Sequence, residues 1–283
     1  MPRIFAWAAA LLLQGWAAAA APTRCPEHFA AGQAPNLINP RLAAGTRALC
    51  FEAFAVLHSA LTRTPLYSAE HLTADRIDAA RTLRRESEFH AETALPPDER
   101  ADLADYARSG FDRGHMSPSG DMPDPAAQQE SFSLANMVPQ APRLNRGLWE
   151  GIESAVRTLA ERRGELYVVT GPIFKGDQLA TVGHVVVPTY VFKAVLDPGS
   201  RSAAAYVTEN TDNATWTAVS MAQLAGLTGI DVFPSLPPRA RNAAMRLPTP
   251  TPHGYGGERQ NGNSGERQNG YAGDRAGREQ RSR

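Results

Sequence analysis

The clearest helical pattern in the chain lies at 146–163. Apolar residues there fall at Leu148, Trp149, Ile152, Val156 and Leu159, with Gly164 as the stop. Shorter apolar runs read as strands at 49–57 and 64–71. The β-branched run 166–170, closed by Gly171-Pro172, reads as a buried central strand. Segments 184–195 and 203–208 add two more strands, and 131–138 another. Segment 98–108 predicts a short helix ended by Gly110, and 217–227 a further helix followed by a closing segment at 229–234. Residues 73–85 are helical or looped, 117–121 a turn, and 123–129 a loop or short helix. These elements predict a mixed α/β (α+β) domain over 49–240. Its central sheet is largely antiparallel, is flanked by helices, and has the long helix at its side.

The ends of the chain have a different character. Arg3, the apolar run 4–13, Trp16 and five alanines precede Pro22, the pattern of a signal peptide over 1–21. It predicts a periplasmic or secreted protein with no membrane anchor once the leader is removed. Cys25 and Cys50 are the only cysteines. In an oxidising compartment they would pair and tie an N-terminal segment, 22–48, to the domain, a loop closure worth roughly 3 kcal/mol. Residues 254–283 repeat GERQNG and have Tyr as their only large apolar type, so the tail, taken as 241–283, is expected to be disordered. Hydrophobic residues make up 42% of the chain, enough for a sizeable core. A net charge of zero argues against a binder that relies on bulk positive charge, but not against an enzyme that contacts a few phosphates.

The candidate chemistry centres on SGFDRGHMSPSGDM, 109–122. Arg113 offers a fork to phosphate oxygens, and a neutral His115 can take a proton from water. Asp112 reads as a structural partner. On the long helix Asn145 comes first, Glu153 follows two turns on, and Arg157 one turn further near the same side. An asparagine carbonyl suits a hydrated Mg²⁺, and a carboxylate can orient waters around such an ion. The residues alone leave other readings open. Asn145 could be an N-cap, and Glu153 with Arg157 a solvated pair. A serine hydrolase built on Ser117 or Ser119 lacks a G-x-S-x-G elbow.

Four blocks in order resemble the DNA/RNA non-specific endonucleases, which carry the ββα-metal (His-Me finger) motif. They are SGFDRGHMSP at 109–118, NMVPQAPRLNRGLWEGIE at 136–153, YVVTGPIF at 167–174 and LTGIDVFPSLP at 227–237. Segment 185–196 is similar to the family's Pro-containing central strand. The resemblance implies a Mg²⁺-dependent enzyme, with Mn²⁺ as substitute, acting on DNA and RNA and leaving 5′-phosphates. By it, His115 is the general base, Asn145 the direct metal ligand, and Glu153 a contact to metal-bound water. Arg113 and Arg157 match phosphate or transition-state contacts, and Asn136 a substrate-binding position. Ala135 stands where a serine is usual, and the family's upstream arginine is Arg84 or Arg85. A homodimer and an inhibitor protein are the further partners left open. The competing function is a nucleic-acid-binding or uptake protein with this fold and little catalysis, against which intact His115 and Asn145 argue.

Overall fold

A computed structural model of the chain describes residues 23–85 and 88–253. The expected signal peptide at 1–21 and the repeats at 254–283 lie outside the described residues. Seven strands form one antiparallel sheet. They are β1 (Thr46–Cys50), β2 (Phe54–Ser59), β3 (Thr64–Thr73), β6 (Glu165–Ile173), β7 (Tyr190–Asp197), β8 (Ser202–Glu209) and β9 (Trp216–Val219), in spatial order β9-β8-β7-β6-β3-β2-β1. A separate hairpin, β4 (Asp112–His115) with β5 (Met137–Gln140), leads into helix α3 (Glu150–Arg163). The smaller helices include α1 (Ala74–Arg81), α2 (Pro125–Ser131) and α4 (Met221–Thr228), and the helix expected over 98–108 is a single turn, Leu103–Tyr106. The expected mixed fold around an antiparallel sheet is the one the chain forms.

Both faces of the sheet are covered, which is why its central strands read as near-continuous apolar runs. In β7, Phe192, Ala194 and Leu196 join a core with Phe29, Tyr67 and Leu224. Val191 and Val195 face the opposite core, built with Trp149, Ile152 and Val156 of the long helical segment. The period of two therefore decides which residues lie beneath the hairpin and α3.

Several expected boundaries shift. The run 49–57 is not one strand, because β1 and β2 are two legs of a hairpin whose turn is closed by Phe51 N–H on Phe54 O. Leu49 and Phe51 on one flank are partly buried against Ala53, Phe54 and Val56 on the other, so apolar content continues through it. Segment 131–138 is strand only from Met137, since Leu134–Asn136 forms a 3₁₀ turn. Segment 184–195 divides into Val185–Val186 and β7 around Pro188, which lacks a ladder donor. Segment 217–227 is β9 followed by α4, started by a capping box between Ser220 and Gln223.

The domain limits move as well. Cys25 and Cys50 are joined, and Asn36–Leu37 pairs with Ile230–Asp231, so residues from 22–48 belong to the fold. At the other end 241–253 packs rather than lying free. Leu247 is buried, and Tyr206 Oη donates to Pro248 O at 2.6 Å.

Candidate active site

Asp112, Arg113 and His115 come to the cleft on β4, which pairs with β5 in the register Asp112↔Gln140 to His115↔Met137. Gly114 is required by a close approach, since a Cβ there would stand 2.1 Å from Gln140 Oε1 and 2.6 Å from Gln140 Cβ. Asn136 is fully buried. Its Nδ2 donates to Ser117 O (2.8 Å) and Ser131 O (2.9 Å), and its Oδ1 accepts Ser117 N–H (3.0 Å). That amide holds the chain just beyond His115.

His115 lies between two aromatic rings, with ring centroids 4.9 Å from Phe132 and 5.8 Å from Phe89. Its Nε2 is buried without a hydrogen-bond partner. Burial, reinforced by the charge of Arg85, pushes the imidazole down to about 3, so it stays neutral across the working pH range. Arg113 is flanked by the same wall, its Cζ 5.0 Å from the Phe89 ring and 5.7 Å from Tyr106, with Nε buried and unpartnered. Arg85 sits 5.4 Å over Phe132 and lines the cleft, which Arg84 does not. The structure thus favours Arg85 as the upstream arginine.

Across the cleft, of about 490 Å³, stands the helical segment with Asn145, Glu153 and Arg157. It begins as a π-helical turn, Leu144–Trp149, that passes into α3. Asn145 lies inside that turn, its own N–H bonded to Ala141 O at 2.9 Å, so it is not the N-cap. Its Nδ2 donates to Asp112 Oδ2 at 3.0 Å, while Arg146 Nε donates to the same oxygen at 2.7 Å. Asp112 therefore holds the Asn145 amide by its nitrogen and leaves Oδ1 unbonded among the described residues. Arg157 Nη1 donates to Asp121 Oδ1 at 2.8 Å, a bond to a buried carboxylate rather than a solvated pair.

A hydrated divalent ion fits this donor set. Mg²⁺ keeps several waters and accepts one or two protein oxygens. Asn145 Oδ1 is such an oxygen, with the Glu153 carboxylate on the same cleft wall. No cluster of three or more His, Cys, Asp or Glu able to cage an ion occurs among the described residues.

Beneath the hairpin runs a polar row that the sequence reading missed. Ser68, Thr170 and Lys193 are cross-strand neighbours in the middle of an otherwise apolar sheet. Ser68 Oγ meets Ser117 Oγ at 2.7 Å, and Lys193 Nζ donates to Met116 O (3.2 Å) and Thr170 Oγ1 (2.8 Å). Glu70 lies 3.9 Å from Lys193, with both carboxylate oxygens otherwise unpartnered. Burial holds its carboxyl well above the usual range, and Asp121 adds to the shift while Lys193 opposes it. The available signal was a charged residue on the inward phase of each apolar strand.

Glu153 is pushed up to about 7, chiefly by burial, with Lys193 and Arg157 opposing the shift and Asp121 and Glu150 adding to it. Its folded value lies above the unfolded one, so its stabilisation is full below about pH 4.5 and is lost as pH rises through 7. His115 has the opposite sign, its contribution being lost as pH falls from 6.5 towards 3. In chelator-treated protein Glu153→Gln should therefore raise Tm at pH 8 but not at pH 5. A gain of roughly 2 kcal/mol corresponds to about 4–8 °C. Calorimetry at the two pH values checks this, and equal shifts at both would refute the raised value.

Residues 33–239 match the DNA/RNA non-specific endonuclease family. The chain is 37% identical over 168 residues to Nuclease C1 of Cunninghamella echinulata var. echinulata, covering 55% of this chain and 67% of that protein. It is 32% identical over 217 residues to the mitochondrial Nuclease EXOG of Homo sapiens, covering 68% and 58%. A solved structure titled "Crystal structure of the EndoG/EndoGI complex: Mechanism of EndoG inhibition" superposes with a TM-score of 0.61 at 26% identity, covering 70% of this chain and 89% of that one. The matches span about half to two thirds of the length of the first curated relatives. Relatives named as mitochondrial nucleases overturn the expected periplasmic or secreted location. A leader is an address read by a receptor, and one arginine before an apolar run does not specify which membrane is crossed.

Proposed function

Because the chain belongs to the DNA/RNA non-specific endonuclease family, we propose that it is a metal-dependent endonuclease hydrolysing phosphodiester bonds in both DNA and RNA. The observation that carries this reading is a neutral, enclosed His115 sharing one cleft with Asn145, Arg85, Arg113 and Arg157.

His115 accepts the proton of the attacking water as its oxygen bonds to phosphorus. The bond from phosphorus to the 3′-oxygen breaks and that oxygen takes a proton from a cleft water, leaving a 5′-phosphate on one product and a 3′-hydroxyl on the other. Arg113 and Arg157 bind the phosphate oxygens and balance the charge that builds on them. Glu153 accepts hydrogen bonds from water beside Asn145 and orients it. A bound Mg²⁺, with Mn²⁺ as substitute, would be held by Asn145 Oδ1 and would supply Lewis-acid stabilisation of the leaving oxygen. All these groups address the phosphate, none a 2′-hydroxyl, which fits action on either sugar. By likeness to the EndoG/EndoGI complex, an inhibitor protein would be a further partner.

The test is degradation of plasmid DNA and of RNA with Mg²⁺, its arrest by EDTA, and the effect of Asn145→Ala. Both substrates should be cut, and the variant should lose about 100-fold in turnover, partly regained at high Mg²⁺. Cleavage that persists in EDTA would overturn the metal assignment.

A further inference from the structure

Gly147 and Gly151 stand one turn apart in the helical segment that carries Asn145 and Glu153. Glycine is the least favourable residue after proline in a helix interior, so two at this spacing call for a reason. The C-terminal segment supplies one. Met245 N–H donates to Ala203 O at 3.0 Å, Leu247 enters the core that holds Trp149, and Tyr206 Oη donates to Pro248 O at 2.6 Å. The chain then crosses the glycines. A Cβ on Gly151 would stand 2.5 Å from Thr251 O, and one on Gly147 3.6 Å from His253 O. His253 N–H donates to Gly147 O at 3.3 Å, and His253 Nδ1 lies 3.2 Å from Glu150 Oε1. Gly147 O also accepts the Glu150 N–H, so the strap and the helix meet on one carbonyl of the π turn.

We infer that residues 244–253, beyond the 33–239 that match the family, form a positioning strap for the metal-holding turn. Gly151 leaves the helix backbone bare where Thr251 O packs, and the strap runs on past Gly147 at ordinary contact distance. Anchored on the sheet through Ala203 and Tyr206, it ties the π turn to the sheet face beneath. Asn145 lies two residues before Gly147, so its carbonyl direction follows the turn. Asp112 holds the amide from the hairpin side and the strap holds the backbone from the other. Thr251 and His253 act through Asn145 and touch no substrate. The inference rests on the reading of Asn145 as the metal-holding residue.

The test measures Mn²⁺ binding to the full-length protein by electron paramagnetic resonance, alongside kcat and KM on plasmid DNA. Gly151→Ala drives a methyl into Thr251 O and should weaken Mn²⁺ binding by about tenfold, lowering kcat more than KM. Tyr206→Phe releases the strap at its sheet end without touching the helix. It should shift both quantities in the same direction by about two- to fivefold. Ala155→Gly loosens α3 by backbone entropy away from the strap and should leave Mn²⁺ affinity unchanged. Parental Mn²⁺ affinity in Gly151→Ala and Tyr206→Phe would overturn the strap. So would an equal loss in Ala155→Gly, which would mark a general effect of helix stability. Mn²⁺ binding that is unaltered by Asn145→Ala would instead overturn the metal-holding role of Asn145, a separate failure.

Discussion

His115→Ala is expected to lower turnover on DNA and RNA by about 10²–10⁴ while the fold persists. The imidazole is enclosed between Phe89 and Phe132 beside the cleft arginines, and its buried Nε2 has no hydrogen-bond partner among the described residues for alanine to forfeit. Circular dichroism and a melting curve close to the parent's would separate loss of chemistry from loss of structure. The pH profile sharpens this prediction. From sequence, the rate should fall as a histidine of ordinary pKa near 6.5 protonates. The structure corrects that expectation, because burial and Arg85 push His115 down to about 3. The base form then persists through pH 5, and a limb near neutrality belongs to Glu153, pushed up to about 7. Such a limb should vanish in Glu153→Gln. One that persists there would show His115 titrating in its ordinary range, and the enclosed base would be wrong.

Lys193→Met should destabilise the protein by about 3–5 kcal/mol, a large share of the roughly 5–15 kcal/mol that holds a domain together. Lys193 is 1% exposed. Its loss strands Met116 O and Thr170 Oγ1, and leaves Glu70 without its neighbouring cation. Met116 follows His115 directly, so turnover should fall as well. Glu70→Leu combined with Lys193→Met should recover much of the stability, since an apolar pair replaces a buried ionisable one, but not the anchoring of Met116. Urea denaturation of the two variants decides the matter. A single variant within about 1 kcal/mol of the parent would mean that the buried contacts contribute little net.

Much of the site was legible because its halves are local. Asp112 to His115 are consecutive on one strand, and Asn145, Glu153 and Arg157 recur at helical spacing, so each half comes from one element. Asn136 shows what sequence leaves open, because a polar residue beside such a motif looks the same whether it faces ligand or backbone. Its bonds to Ser117 and Ser131 exist only in the folded chain. The choice between Arg84 and Arg85 was closed to sequence for a similar reason, since adjacent residues diverge in direction according to the backbone between them.

The sequence by itself determined the antiparallel α+β class, the Cys25–Cys50 pairing, the consecutive Asp112 to His115, and the long helix with Glu153 and Arg157 near one side. Period, turn residues and a motif within one element are enough for these. Tertiary structure alone decided which side chains meet. It set Lys193, Glu70 and Ser68 beneath the hairpin because strand register brings together positions far apart in the chain. It lowered His115 and raised Glu153 because burial is a property of the packed core rather than of residue type. It also laid 244–253 over Gly147 and Gly151, where a glycine that weakens a helix in isolation leaves bare the backbone another segment packs on.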